Sequence, residues 1–311
     1  MTLGIAFDAG LAALLVAVAA WTIAARDSVT AVITFVVYGL LLSLAWVRLA
    51  AVDVALTEAA IGGGVTGMLL LGAATHSRQS EVGTTFPFAA MLAAGLACIL
   101  VSIGLAATVL LLPDPAATLA PAAVANLAET GLGNPVTGVL FVYRALDTLL
   151  EKVVLVLALV GVWSLAADRF WGGIAVPRLY AQASMLSYQA QLLPPVGLII
   201  GIYMFWTGAD HPGGAFQGGA ILAAMWLVLM IARLQDLPAT SQPWLRLLLV
   251  IGPIIFTAIG LAGLAFADAF LAYPKGYAKP LIIIAEAGLT LSIGVTLALL
   301  VAGTPARMQQ P

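Results

Sequence analysis

Apolar residues in this chain run in long blocks, broken by short polar or glycine- and proline-containing segments. A helix needs about 20 predominantly apolar residues to cross hydrocarbon. Nine blocks meet or approach that length, at roughly 3–24, 28–49, 52–74, 87–112, 146–166, 191–210, 217–233, 245–267 and 280–303. Backbone groups in lipid must be satisfied within the segment, so runs this long predict helices, not barrel strands. The expected fold is an all-α polytopic membrane protein with about nine transmembrane helices.

The breaks sort the blocks into groups of three, two and four. "HSRQSEVGTTFP" (76–87) separates the first group from the second, and "ADRFWGGIAVPRLYAQASMLSYQAQ" (167–191) separates the second from the third. The second linker mixes aromatics with two arginines and is expected along the membrane interface. Modules are therefore expected at 1–82, 83–175 and 176–311. No internal repeat is visible, which argues against an inverted-repeat transporter. Composition sharpens the class: 63% of residues are hydrophobic and 8% are charged, where soluble chains carry about 25% charge. The net charge of −2 argues against nucleic acid as a partner. The single cysteine, Cys98, provides no disulfide framework. The N-terminal stretch lacks the basic start and cleavage site of a signal peptide and is expected to be a retained span.

Basic residues orient the chain. With the N-terminus outside and the C-terminus cytoplasmic, Arg26, Arg78, Arg169, Arg178, Arg233, Arg246 and Arg307 fall inside, against Arg48, Lys275 and Lys279 outside. The loop 113–134 carries Asp114 and Glu129 and no basic residue, which suits an external position.

Ionisable residues within greasy helices are costly and point to function. Glu58 lies at hydrocarbon depth and is a candidate for proton exchange, or else a neutral acid bonded to a neighbouring helix. Asp53, five residues earlier, points about 140° away and reads as a helix N-cap. Gly62, Gly63 and Gly64 follow Glu58. They predict either a π-bulge or hinge beside the carboxylate or a tight helix contact. The segment 134–170 is too long for one perpendicular span, so its first part is expected at the interface or in a groove. Arg144, Asp147 and Glu151 share one helix face there, with Lys152 about 100° from Glu151. Arg144 and Asp147 read as a structural ion pair, Glu151 and Lys152 as a functional pair. "TGADHPGGAFQGG" (207–219) predicts a turn and a closely packed helix start; His211 at its mouth is either a surface residue or a proton entry point. Glu286, two turns into the last block, is a third buried acid, and Glu58, Glu151 and Glu286 are expected at similar depth. His76 and His211 are the only histidines. With no CxxC and no phosphate-binding glycine loop, neither a metal nor a cofactor is expected.

"DVALTEAAIGGGVTG" resembles the three-helix D-type component of membrane-bound hydrogenases, which is also the late C-terminal part of the large A subunit of Mrp-type cation/proton antiporters. "NPVTGVLFVYRALDTLLEKVVL" resembles the E-type segment that follows it. Tyr143-Arg144, Asp147-Thr148-Leu149 and Glu151 match that pattern, while Leu150 stands where the family often has glycine. "HPGGAFQGGAILAA" resembles the signature of the B subunit, with Ala215 in place of its usual third glycine. Glu286 stands where the family's last span often carries an aspartate. The resemblance implies D-, E- and B-type modules fused in one polypeptide. It implies an accessory subunit, not itself an enzyme, in the cell inner (cytoplasmic) membrane. Its partners would be large antiporter-like subunits and a small three-helix C-type subunit, and its ions H+ and Na+ or another monovalent cation, in a lipid environment. A structural scaffold, or a membrane-arm subunit of a redox-driven pump, stays open as an alternative.

Overall fold

The computed structural model describes residues 2–77, 87–113, 117–175, 184–235 and 238–306. Arg78, Arg178 and Arg307, and the expected breaks after 82 and 175, fall on or beside residues outside that set. Among the described residues each apolar block is helical. The helices are α1 (Thr2–Ala24), α2 (Ser28–Arg48), α3, α4 (Phe88–Leu111) and α5 (Ala145–Ser164), then α6 (Ser184–Thr207), α7 (Ala215–Ile231), α8 (Pro243–Phe266) and α9 (Ala278–Ala302). Helix α3 is composite: an α-helical start (Val52–Thr57), a π-helical stretch (Glu58–Thr66) and an α-helical end (Gly67–Ser77). Seven of the nine are long and apolar enough to cross a membrane. The other two depart for visible reasons. Helix α5 carries Asp147, Glu151 and Lys152 in its first half, and α7 has 17 residues.

The core sits around α9. Its Ala285, Leu289, Ile293 and Leu297 are buried against α7, α8 and α5. Helices in lipid associate through close packing rather than through a hydrophobic driving force, so small residues line their contacts. A Cβ at Gly219 of α7 would lie 2.8 Å from the Ile293 side chain of α9, and one at Gly218 would lie 2.6 Å from the Gly201 carbonyl of α6. Helices α1, α2 and α3 form a second layer, with α1 on α2, α2 on α3, and the π-helical stretch of α3 against α7. None of the residues of α4 is buried by the rest of the chain.

Two local expectations are corrected. Asp53 is not an N-cap: the cap position of α3 is Ala51, and Asp53 sits in the first turn with its carboxylate turned to other segments. The linker after α5 is tied to the chain, not left along an interface. Ile174 and Ala175 pair antiparallel with Ala306 and Pro305, and the Thr240 N–H donates to the Gly173 carbonyl over 2.9 Å. The lead-in to α5 folds into a groove, as its length implied. Pro135–Gly138 is a short helix, Val139–Tyr143 a π-turn, and Phe141 is buried with its ring 5.4 Å from that of Phe256 in α8.

Candidate functional site

Three polar-bearing segments converge on one cavity of about 270 Å³. Helix α3 contributes Asp53 and Thr57, the start of α5 contributes Thr148, Glu151 and Lys152, and the α6–α7 turn contributes Gly213 to Gln217; Glu286 of α9 closes the floor. The α6–α7 turn can sit there because Gly213 and Gly214 adopt φ of +150° and +139°, backbone that side-chain-bearing residues rarely take.

Glu286 is 1% exposed. The Ala215 N–H, at the N-terminus of α7, donates to its carboxylate, a position where the helix dipole favours negative charge. Its second oxygen, Oε2, has no hydrogen-bond partner in the protein. A buried polar atom without a partner is costly and rare, and marks a place for chemistry or a bound small polar species. Lys152 is 3% exposed. Its Nζ lies 3.3 Å from the centroid of the Phe216 ring and 3.8 Å from Oε1 of Glu151. The ring face attracts the ammonium group where water cannot solvate it. Glu151 is half exposed, with 51% of its side chain uncovered, so it stands at the cavity mouth. A buried cation, a buried acid with an open oxygen and a mouth carboxylate can pass protons through a few waters. The cavity has room for several.

The expected residues do not all meet here. Glu151, Lys152 and Glu286 line the cavity together. Glu58 does not: its carboxyl group folds back over Gly62 and faces Gly39 of α2, where an added Cβ would lie 3.4 Å from its Oε1. A Cβ at Gly62 would fall inside that carboxyl group, and one at Gly39 would lie 3.1 Å from the Gly63 nitrogen. The glycine run therefore makes both a π-helix and a close helix contact. Arg144 and Asp147 form an exposed ion pair where the helix axis breaks, at Arg144 φ −130°, ψ 36°. His211 is exposed; its backbone carbonyl accepts from Asn134, while the neighbouring Asp210 pairs with Lys279 at 2.7 Å.

Five lining or supporting residues were not expected at the site: Asp53, Thr57, Asn134, Phe216 and Gln217. Asn134 and Gln217 are polar residues at the edges of apolar blocks, and that was their available signal. Phe216 had none, because its role depends on a lysine 64 positions earlier.

Comparison with known proteins adds a framework. The family model for the D subunit of MBH matches residues 13–79, and the domain related to the MnhB subunit of Na+/H+ antiporter matches residues 185–306. An uncharacterized protein of Methanocaldococcus jannaschii, MJ1307, is 26% identical over 154 residues, covering 44% of this chain and 59% of that protein. The chain thus spans about three fifths of that relative. Among solved structures, a chain of the Mrp complex from Dietzia sp. DQ12-45-1b superposes with a TM-score of 0.75 at 25% identity, covering 97% of this chain and 35% of that one. A chain of the membrane-bound sulfane sulfur reductase, an archaeal respiratory membrane complex, shares the fold with a TM-score of 0.57 at 23% identity, covering 69% of this chain and 97% of that one. With the two family matches in this order along one polypeptide, and the fold of an Mrp-complex chain across nearly its whole length, the protein is a multi-pass membrane subunit of the Mrp type that fuses A-like and B-like parts.

Proposed function

We propose that the chain is an accessory subunit of a multisubunit cation/proton antiporter, in which Glu286, Lys152 and Glu151 form a segment of the proton path. The observation that carries this reading is the cavity holding buried Lys152 and buried Glu286, whose Oε2 is unpartnered, beside the half-exposed Glu151. Glu286 takes up or releases a proton at Oε2. Lys152 balances its charge and hands protons on by gaining or losing one of its own. Glu151 exchanges with water at the mouth. Glu58, on the other face of α3, is a second protonatable station, and the π-helical glycine stretch is its hinge. Arg144 and Asp147 fix the start of α5, and His211 offers protons at the outer turn.

The rest of the assignment follows from this role. Nine spans place the N-terminus outside and the C-terminus in the cytoplasm of the cell inner membrane, with modules at 1–82, 83–175 and 176–311. The family matches at 13–79 and 185–306 support the first and third. Partners are large antiporter-like subunits and a small three-helix C-type subunit, and the exchanged ions are H+ and Na+ or another monovalent cation.

The test is Glu286→Gln in the assembled complex, with sodium-driven proton movement followed by a pH-sensitive dye in everted vesicles and assembly followed by native gel. The amide keeps the acceptor for the Ala215 N–H but cannot release a proton. Exchange per complex is expected to fall at least about a hundredfold, the low end for loss of a positioned acid–base group. Full exchange in that variant overturns the reading.

A further inference from the structure

Asp53 is the most heavily used carboxylate outside the path just described. Its Oδ1 accepts from the Gly213 N–H at 3.0 Å and from Asn134 Nδ2 at 3.4 Å. The same Asn134 amide donates to the His211 carbonyl at 3.1 Å, and the Asn134 Oδ1 accepts from the Val136 N–H at 2.9 Å. One turn along α3, the Thr57 hydroxyl accepts from Gln217 Nε2 at 3.0 Å. The turn is held from its other side as well: Gly133 and Asn134 donate their N–H groups to the Ala209 carbonyl, and Thr137 donates its hydroxyl to the Gly208 carbonyl at 2.6 Å. Asp53 thus ties the first turn of α3 and the lead-in to α5 to Gly213, two residues before Ala215. Gly213 and Gly214 are conformationally permissive, so the chain itself does little to fix where the Ala215 N–H points. That direction is set by what grips Gly213.

We infer that Asp53 is a positioning residue for Glu286: by holding the Gly213 N–H it fixes the Gly213–Ala215 backbone in the arrangement that presents the Ala215 N–H to the Glu286 carboxylate. The inference rests on the reading of Glu286 as a proton-carrying group. Asp53 acts here through its acceptor oxygen and not through its charge or by titrating. It is also the direct mechanical link between α3, which carries Glu58 and the π-helical stretch, and the acid on α9.

The test compares Asp53→Asn with Asp53→Ala in the assembled complex, with Glu286→Gln alongside. Exchange is expressed per complex, so a variant that merely assembles poorly shows wild-type turnover in the fraction that remains. Asn keeps an acceptor oxygen for Gly213, and Asp53→Asn is expected to retain turnover within about threefold. Asp53→Ala leaves the Gly213 and Asn134 donors without that acceptor, and turnover is expected to fall about tenfold or more, the effect of losing a hydrogen bond to a charged group. Wild-type turnover per complex in Asp53→Ala overturns the inference. Equal loss in Asp53→Asn and Asp53→Ala also overturns it, because the charge or proton of Asp53 would then be the active feature. Full turnover in Glu286→Gln removes the proton-path reading itself, and that outcome is read independently of the Asp53 pair.

Discussion

Lys152 shows how the environment of a single side chain in this protein is made by residues far away in sequence. An ammonium group that is 3% exposed needs compensation. It has two sources: the Phe216 ring at 3.3 Å and the Glu151 carboxylate at 3.8 Å. Desolvated cation–π contacts contribute about 0.5–2 kcal/mol. Phe216→Leu keeps apolar bulk and removes the ring face, so initial exchange rates are expected to drop about threefold to tenfold. Lys152→Met removes the proton-handling group and is expected to lower exchange at least about a hundredfold. An unchanged rate in Phe216→Leu would show that the ring does not hold the ammonium group. The acids Glu58, Glu151 and Glu286 and the base Lys152 were legible in the sequence, since charge in an apolar run stands out. Their grouping was not. Glu58 and Glu286 read alike, yet the rotation of α3 turns one towards α2 while the cavity takes the other. Asp53 was read by sequence-local capping logic, and a tertiary hydrogen bond from Gly213 took its carboxylate instead.

At the scale of elements, α3 carries the clearest link between composition and shape. Three consecutive glycines remove the side chains that would crowd a widened turn, and nine residues from Glu58 to Thr66 take the π-helical form. Such stretches are rare and cluster at functional sites. Here the widened turn lets the Glu58 carboxyl group lie back over Gly62. A methyl group at Gly62 cannot share that space, so Gly62→Ala is expected to displace Glu58 and to reduce exchange about as far as Glu58→Gln does. Gly72 lies on the same helix, with open space where a Cβ would go; Gly72→Ala is expected to leave exchange unchanged. Comparing the three variants in everted vesicles, at equal complex content, separates loss of Glu58 placement from a general effect of stiffening α3. Equal rates in Gly62→Ala and Gly72→Ala would sever the glycine run from Glu58. The sequence raised both a π-bulge and a tight contact as rival readings of this run. They coexist because Gly63 packs against Gly39 of α2 at the same level at which the helix widens.

At the scale of the whole molecule, the polar network and the packing point the same way. The chain buries its core around α9 and ties α3, the lead-in to α5 and the α6–α7 turn together, yet it leaves α4 uncovered on every side. A long apolar helix with no partner in its own chain faces either lipid or another subunit. The accessory-subunit role favours another subunit, because a module whose path opens beside Glu151 needs neighbours to continue it. Cys98 provides a direct way to ask. It is the single cysteine of the chain, lies near the middle of α4 and is exposed. A maleimide-linked photo-crosslinker on Cys98, activated in native membranes, is expected to join this chain to another membrane subunit of the complex. Mass spectrometry of the product, with the proteins that co-purify in mild detergent, is expected to show large antiporter-like subunits and no iron–sulfur proteins. Adducts to lipid alone would make α4 a lipid-facing helix and move the contact surface elsewhere on the chain. Crosslinks into a complex that carries iron–sulfur proteins would move the same cavity, with its buried acid and lysine, into a redox-driven pump. In that setting Glu286 and Lys152 would still pass protons, but the energy to drive them would come from electron transfer in another part of the assembly.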